Sequence, residues 1–303
     1  MPEAETTEPE RRDEAQETAP AAEPDEAPYA PPPSSKPEDD ATAPARSTSG
    51  EVQPIGSGPP PEDTIIELRD LHKSFGDLDV LNGASLSVER GTSAVVMGGS
   101  GAGKSVLLKH VVKLLTPDAG EPWVKGQRVD EMTGEELDDL RLSIGYLFQG
   151  GALFDSMSVE ENMNFFLKRH SALSKGERQD RIEETLSWVN LVDTAPKYPA
   201  ELSGGQQKRI GLARAIILQP EILLYDEPTT GLDPVSVRTV SDLIVRLRDE
   251  RGITSVAITH DLLCAEIITD RAHFIYEGEI LESGTLKELK HSDHPTIRNF
   301  FGN

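Results

Sequence analysis

The sequence has only one cysteine, Cys264, among its 303 residues. One cysteine excludes an intramolecular disulfide and a cysteine-based zinc site, and it fits a reducing compartment. Long apolar runs are also missing, since none approaches the roughly 18 to 20 residues that a membrane-spanning helix needs. The start, MPEAETTEPE, lacks the basic and apolar regions of a secretion signal. These absences predict a cytoplasmic chain that does not cross a bilayer by itself.

Basic residues are scarce: 30 Lys and Arg stand against 53 Asp and Glu, a formal charge of −23. This balance argues against a nucleic-acid partner, because phosphate backbones are bound by basic faces. The first 60 residues contain 14 of the acidic residues, 13 of the 22 prolines and one aromatic residue, Tyr29. We therefore predict a disordered acidic, proline-rich tail over residues 1–62. The tail is either a solubilising extension or a docking or regulatory arm.

From Thr64 onward, β-branched runs alternate with helical patterns, which predicts an α/β fold with a parallel sheet and crossover helices. Strand patterns occupy residues 64–68, 84–91, 92–99, 144–148, 222–225 and 254–259. A helix is predicted from Gly103 to Leu115, before Pro117. Two capping boxes, Ser158-x-x-Glu161 and Ser174-x-x-Glu177, announce helices in a strand-poor insertion between residues 156 and 199. Residues 273–284 have the pattern of a hairpin, and two short helices follow.

A glycine-rich segment follows the third strand pattern and opens the first helix. It fits G-x-x-x-x-G-K-S and consists of Gly98, Gly99, Ser100, Gly101, Ala102, Gly103, Lys104 and Ser105. Glycines at these positions let successive backbone N–H groups turn inward, and the helix N-terminus adds a positive field. The segment therefore predicts a phosphate cradle, in which Lys104 reaches the β- and γ-phosphates and the Ser105 hydroxyl binds Mg²⁺.

Two acidic residues, Asp226 and Glu227, follow the apolar run Ile222 to Tyr225. A phosphate site needs a carboxylate for its Mg²⁺, and Asp226 can hold the metal directly or through water. Glu227 is then free to accept a proton from an attacking water. This pair predicts a nucleotide-hydrolysing site.

One further motif separates the classes of phosphate-loop protein: Leu202, Ser203, Gly204, Gly205 and Gln206, running into a helix predicted from Gln207 to Leu218. It resembles the signature of the ATP-binding cassette (ABC) ATPases and lies 20 residues before the Asp226 strand. The resemblance implies a mixed-sheet core, an antiparallel β subdomain and a helical subdomain at about residues 150–218, within a domain of residues 63–303. A serine and glycines at a helix N-terminus form an anion cap. In the family that cap completes the site of a second copy, so that two copies arranged head to tail enclose two ATP molecules.

The resemblance assigns roles to five more positions. Phe75 and Val80 match the place where the family contacts adenine, with phenylalanine in place of the usual tyrosine. Gln149 matches the glutamine that contacts Mg²⁺ and the attacking water, Asp233 lies in the loop that crosses the dimer interface, and His260 matches the histidine that steadies the water. Glu227, His260, Gln149 and Lys104 are therefore the predicted catalytic residues, with ATP and Mg²⁺ required.

The segment after Gln149, with Gly151, Ala152, Leu153 and Phe154, and the ending from His294 to Phe301 are similar to the Mla/Mce-type phospholipid-transport ATPases. That resemblance implies a complex on the cytoplasmic face of the inner membrane. Its parts are two copies of this chain, integral-membrane permease subunits and an Mce-domain substrate-binding protein, with phospholipid as the cargo. Leu153 and Phe154 are predicted to contact the permease.

Three alternatives stay open at this point. The first is the ATPase of a small-solute importer, with the same cassette and a different permease. The second is a soluble ABC protein of translation or DNA repair, which would favour paired cassettes, zinc cysteines or a basic surface. The third is an interaction module whose acidic tail recruits partners under control of the ATPase.

Several polar residues outside the motifs are interpreted as structural. Cys264 lies in a helical pattern with an apolar face and is predicted to be a small core residue. His110 is predicted to be buried or partnered. Lys208 and Arg209, just after the signature, are predicted to be interface or solvated charges that could support the phosphate-facing cap.

Overall fold

A computed structural model describes residues 58–302 of the chain. The predicted acidic tail, residues 1–62, lies outside the described residues except for its last five positions. The described residues all belong to one structural unit of the chain, residues 54–303.

A small antiparallel sheet forms the first layer. Strand β1 (Thr64–Phe75) pairs with β2 (Leu78–Glu89) on one side and β4 (Ala119–Val124) on the other, and β5 (Gln127–Arg128) extends the sheet beyond β4. The β1–β2 hairpin closes between Phe75 and Leu78, where Gly76 takes φ 61°. Glycine adopts this left-handed conformation without steric cost, which permits the tight turn.

The large sheet has six strands in the order β10-β9-β3-β8-β7-β6. Its strands are β3 (Ser93–Met97), β6 (Ile144–Leu147), β7 (Ile222–Asp226), β8 (Thr254–Ile258), β9 (Arg271–Tyr276) and β10 (Glu279–Gly284). All neighbouring pairs are parallel except β9 and β10, which form the predicted hairpin. Because parallel strands end at a common edge, the segments after β3, β7 and β8 are brought together there.

The described helices connect and cover these strands. They are α1 (Lys104–Val111), α2 (Gly134–Leu142), α3 (Val159–His170), α4 (Lys175–Trp188), α5 (Gly204–Ile216), α6 (Pro234–Arg251), α7 (Leu262–Ile268), α8 (Leu286–Lys290) and α9 (Pro295–Phe301), with single 3-10 turns at Val192–Thr194 and Pro199–Glu201. Both predicted capping boxes are present: Ser158 and Glu161 satisfy each other's backbone N–H groups, and so do Ser174 and Glu177. The predicted strand-poor insertion is therefore confirmed.

The large sheet is buried on both faces. In β3, Val95 and Met97 pack into one apolar cluster with α3 to α7, whereas Ala94 and Val96 pack into a second cluster with the small sheet, α1 and α2. Strands enclosed in this way read as continuous apolar runs rather than alternating ones. The carboxyl edge of the sheet is consequently where its polar chemistry can be placed.

Two of the predicted helices have different bounds in the structure. Helix α1 ends at Val111 rather than Leu115, and Lys113 then takes φ 48°. Arg141 donates to the carbonyls of Val112 and Lys113, so acceptors that a continuing helix would use are satisfied from another element. Helix α5 begins at Gly204, three residues before the predicted start, because Ser203 caps it and forms a box with Gln206.

Two residues interpreted as structural are buried. Cys264 is 0% exposed, and burial raises the pKa of its thiol to about 11. A thiol with such a pKa is a poor nucleophile at neutral pH. His110 is also 0% exposed, its Nδ1 lies 2.8 Å from the Val106 carbonyl, and burial lowers the pKa of the ring. Both predictions are confirmed.

Candidate active site

The loop between β3 and α1 requires glycine at its two ends. Gly98 has φ 151°, and a Cβ at this position would lie 2.2 Å from the carbonyl oxygen of Ile275. Gly103 has φ 97°, and a Cβ there would lie 2.8 Å from the carbonyl oxygen of Val80. Real Cβ atoms essentially never lie within 3.0 Å of another heavy atom to which they are not bonded. The loop is therefore seated closely against β9 and the start of β2, with its middle residues open to solvent.

Lys104 follows this loop as the first residue of α1 and is 9% exposed. Its ammonium group donates to the carbonyls of Gly98 at 2.9 Å and Gly99 at 2.7 Å. Burial lowers the pKa of Lys104, while the nearby carboxylates of Glu227 and Asp226 act in the opposite direction. The side chain thus folds back over the glycine loop, where an ammonium can meet phosphate oxygens.

Ser105 and Asp226 meet across the site although they are 121 positions apart. The Ser105 hydroxyl donates to Oδ1 of Asp226 at 3.0 Å, and Asp226 is the buried last residue of β7. Hydroxyl and carboxylate oxygens are hard donors that suit Mg²⁺, which usually takes few protein ligands and completes its shell with phosphates and water. The donor set therefore fits the predicted metal.

Glu227 has an unusual backbone and two side-chain partners. Its φ is 54°, a left-handed value that non-glycine residues rarely adopt. One carboxylate oxygen lies 2.9 Å from Nδ1 of His260, and the other accepts a hydrogen bond from Thr230 Oγ1 at 3.0 Å. The Glu227 side chain is 13% exposed and that of His260 is 62% exposed. The pair therefore places a half-buried carboxylate and an accessible ring side by side, where both can contact the same water molecule.

These groups line one cavity of about 630 Å³. Its walls comprise Val80, Gly98, Gly99, Ser100, Gly101, Gly103, Lys104, Ser105, Val106, Gln149, Asp226, Glu227, Ile258, His260 and Phe300. Ala102 lies within the same loop, half-buried. Phe75 is not among the lining residues; it is 47% exposed at the end of β1, with the Lys73 ammonium 5.7 Å from its ring centroid. The sequence motifs from four separate segments thus converge on one space.

The signature segment lies outside this cavity. Ser203 and Gly204 are exposed, and Gly205 and Gln206 are half-buried. The Ser203 hydroxyl accepts from the backbone N–H of Gln206 at 3.3 Å. This cap is therefore formed on the surface, where a second molecule can meet it.

Asp233 lies beside the signature. Its Oδ1 accepts from the backbone N–H groups of Val235 and Ser236, which caps α6, and the Ser236 hydroxyl donates to Oδ2 at 2.6 Å. The Ser236 hydrogen bond is the main cause of the lowered pKa of Asp233. A Cβ on Gly205 would lie 3.0 Å from Ser236 Oγ, so the two exposed segments are neighbours.

Lys208 is buried, so of the alternatives given for it the solvated charge is wrong, whereas the interface charge and the support of the cap stay predictions. It is 8% exposed, and its ammonium group donates to the carbonyls of Gln149 and Glu227. Thr230 and Phe300 were also missed. Thr230 follows Glu227 by three positions and could have been suspected, whereas nothing local in the sequence places Phe300 at the cavity.

The cavity and the exposed cap together define an ATP-binding cassette. Residues 81–230 match the family model described as ABC transporter. The chain belongs to this family: it is an ATP-binding ATPase subunit of ABC transporters. No described helix is both long and apolar enough to cross a membrane.

Several curated relatives cover most of the chain. It is 40% identical over 255 residues to the Arabidopsis thaliana "Protein TRIGALACTOSYLDIACYLGLYCEROL 3, chloroplastic". The aligned region covers 78% of this chain and 73% of that protein. It is 37% identical over 245 residues to the Mycobacterium leprae "Probable ribonucleotide transport ATP-binding protein mkl", with coverages of 81% and 71%. It is 37% identical over 241 residues to the "Methionine import ATP-binding protein MetN 2" of Pseudomonas entomophila, with coverages of 78% and 72%.

Solved structures agree with the fold. A dimeric post-hydrolysis state of the ATP-binding cassette MJ0796 bound to ADP and Pi is similar with a TM-score of 0.67 and 30% identity, covering 73% of this chain and 99% of that one. CbiO1 from Clostridium perfringens, part of the transporter complex cbiONQ, gives a TM-score of 0.70 and 30% identity, covering 76% and 92%.

Proposed function

We propose that this chain hydrolyses ATP as one of two identical subunits and thereby energises phospholipid transport through a separate permease. The observation that carries the proposal is the 630 Å³ cavity, where the Ser105–Asp226 pair and the Glu227–His260 pair face the same glycine loop. Phosphoryl transfer requires a protein mainly to position the reacting groups and to neutralise their charge. This cavity supplies both.

Each proposed role follows from where the residue lies in the cavity. Lys104 and the loop N–H groups bind the phosphates, and Ser105, Gln149 and Asp226 hold Mg²⁺. When bound, Mg²⁺ would neutralise charge on the phosphate oxygens. Glu227 accepts the proton of the attacking water, and His260 orients that water from its place 2.9 Å from the Glu227 carboxylate.

The second copy is proposed to close the site. Ser203, Gly204 and Asp233 are exposed outside the cavity of their own chain, and Gly205 and Gln206 are half-buried beside them. The MJ0796 cassette, which is similar in structure, was solved as a dimer bound to ADP and Pi. A head-to-tail pairing of two copies would bring the exposed serine cap of one to the glycine loop of the other.

The proposed adenine contacts are Phe75 and Val80. Val80 lines the cavity, and Phe75 lies at the exposed tip of the β1–β2 hairpin. An exposed aromatic face on a hairpin tip is suited to stacking on a base. Phe75 would therefore extend the site beyond the cavity toward the base.

Lipid is proposed as the cargo because two independent features favour it. The relative from Arabidopsis thaliana is named after a galactolipid, and the segment from Gly151 to Phe154 resembles the Mla/Mce type. The complex would then include permease subunits and an Mce-domain protein, on the cytoplasmic face of the inner membrane. The mkl and MetN names favour the alternative of a small-solute importer.

The proposed permease contact is an aromatic surface on the helical part of the chain. Phe154 and Phe165 are 39% and 40% exposed, and their rings meet edge to face at 5.2 Å. A groove of about 420 Å³ runs beside them, lined by Met157, Glu161, Asn164, Phe165, Lys168 and Arg169. Exposed aromatic rings beside a groove are typical of a protein contact.

The catalytic proposal is tested by Glu227→Gln. This change keeps the shape of the side chain but removes the proton acceptor, so we expect ATP binding to persist and turnover to fall by about 10² to 10⁴. The variant should accumulate as an ATP-bound dimer in light scattering. Glu221→Gln is the matched control. Glu221 lies just before the first residue of β7, at the opposite end of the strand from Glu227, and it pairs with Lys125 and Arg90. Near-normal turnover in Glu227→Gln would contradict the role.

The cargo is tested in vesicles that contain the complete complex. We expect ATP turnover to rise with a transported phospholipid and not with methionine or a ribonucleotide. Stimulation by either polar solute alone would favour the importer alternative.

A further inference from the structure

Lys208 is a buried cation on the helix that the signature serine caps. It lies in the second turn of α5 and is 8% exposed. Its ammonium group donates to the carbonyl of Gln149, which follows β6, and to the carbonyl of Glu227 at 3.2 Å, which follows β7. One side chain thus connects the signature helix to the two loops that bear Gln149, proposed to hold Mg²⁺, and Glu227, the proposed proton acceptor.

A side chain that only filled this space would not need a charge. Burying an ammonium group is unfavourable unless hydrogen bonds replace its water, and apolar side chains of similar size commonly pack as well or better. Burial lowers the pKa of Lys208, and the Glu227 and Asp226 carboxylates oppose that shift. The charged form is therefore held by its carbonyl acceptors and by the acids of the site.

The acceptor on Glu227 is significant because that residue has a strained backbone. Its φ of 54° persists only where the surroundings impose it. The Glu227 N–H donates to the Ile258 carbonyl at 3.0 Å, and the Glu227 carbonyl accepts from Lys208. Both polar backbone groups of Glu227 are consequently fixed, one by β8 and one by α5.

The contact between α5 and the loop after β6 is close along its length. A Cβ on Gly211 would lie 3.2 Å from Cα of Gly151, so the helix and loop backbones touch. One turn further on, Arg214 donates to the carbonyls of Gly151, at 3.0 Å, and Ala152. A movement of α5 is therefore transmitted to the loop that begins with Gln149.

We infer that Lys208 is a positioning residue, which aligns the Gln149 and Glu227 backbones with the helix that carries Ser203. This inference rests on the proposed function, in which Gln149 and Glu227 act on Mg²⁺ and water. The ammonium group acts through these two residues, because its hydrogen bonds fix both backbones relative to α5. Without the cation the two loops would lose their shared hydrogen-bond donor, and Glu227 would lose its alignment with the attacking water. Lys208 thereby couples the signature helix to the hydrolytic step.

The test compares Lys208→Met with two other variants in steady-state ATP hydrolysis. Lys208→Met should lower kcat by about 10² with little change in KM, since a displacement near 1 Å of a catalytic group has that effect. Lys208→Arg restores a donor and should recover part of the loss. Lys113→Met is the matched control, because Lys113 also donates to a backbone carbonyl, that of Met132 at 2.5 Å, and does not line the cavity, so this variant should keep its kcat. Thermal unfolding of all three detects any loss of folding.

A double-mutant cycle with Glu227→Gln then separates positioning from general structure. If Lys208 acts through Glu227, Lys208→Met should add little further loss in the Glu227→Gln background. An equal fractional loss in both backgrounds, an unchanged kcat in Lys208→Met, or a kcat loss of the same size in Lys113→Met would overturn the inference. Normal turnover of Glu227→Gln alone would instead refute the proposed function, so the two failures are distinguishable.

Discussion

Replacing Gly98 by alanine tests how the glycine loop is held in place. The added Cβ would lie 2.2 Å from the Ile275 carbonyl oxygen. This distance is more than 1 Å shorter than the 3.4 Å at which ordinary van der Waals contact begins. Ile275 is buried in β9 and pairs with Ile280 of β10, so its backbone cannot retreat. Gly98 must therefore move, and its carbonyl carries the hydrogen bond from Lys104.

The size of the effect follows from that displacement. Overpacking and the unfavourable φ each cost about 1 to 3 kcal/mol, part of which the loop can relieve by shifting. A shift of about 1 Å in the phosphate loop should lower kcat/KM for ATP by about 10². We expect Gly98→Ala to lose nucleotide affinity in a fluorescence titration and to unfold at lower urea than the unsubstituted chain.

Gly176→Ala is the matched control for this experiment. Gly176 is an exposed residue of α4, and no atom lies within 4 Å of the position its Cβ would take. Alanine there should leave turnover unchanged and stabilise the fold by up to about 1 kcal/mol. If Gly98→Ala bound and hydrolysed ATP as well as Gly176→Ala does, the close seating of the loop against β9 would be wrong.

Two further predictions concern stability and coupling. His273 is 1% exposed, and burial lowers its pKa to about 4. At pH values between this pKa and the ordinary histidine pKa of about 6.5, the unfolded chain binds more protons than the folded chain. The contribution of His273 to the free energy of unfolding is therefore complete above about pH 6.5 and falls by about 2 kcal/mol at pH 5. In urea unfolding, the free energy of unfolding of His273→Asn should change by about 2 kcal/mol less between pH 7 and pH 5 than that of the unsubstituted chain. The same pH dependence in both chains would contradict the lowered pKa of His273. Replacing both Leu153 and Phe154 by Asp should abolish co-purification of the permease while ATP binding persists; an unchanged complex would count against the proposed contact.

The features that the sequence predicted well are set by local physics. The capping boxes at Ser158 and Ser174 need only residues three positions apart, and the glycine loop needs only its place between a strand and a helix. The convergence of Asp226 and His260 followed from parallel strands ending at one edge. The early end of α1 was missed because Arg141, from another helix, satisfies the carbonyls of Val112 and Lys113 just after it.

The roles of Lys208 and Phe300 depend on tertiary contacts that leave no local pattern. Lys208 reaches a carbonyl 59 positions away, and in the sequence it stands beside Arg209 like an ordinary pair of surface charges. Phe300 reaches the cavity because α9 packs against β9, where its ring meets that of Phe274 at 5.1 Å. Both depend on how distant segments pack.

The most direct test of the shared site is whether Ser203 of one copy faces the glycine loop of another. Since Cys264 is the chain's one cysteine and is 0% exposed, introduced thiols can be labelled selectively. Chains carrying Glu227→Gln are mixed, half with Ser100→Cys and half with Ser203→Cys, and treated with a short bifunctional thiol reagent. A crosslinked dimer that joins the two kinds of chain and forms only with ATP is the predicted result. No such product, or a yield independent of ATP, would contradict the head-to-tail pairing.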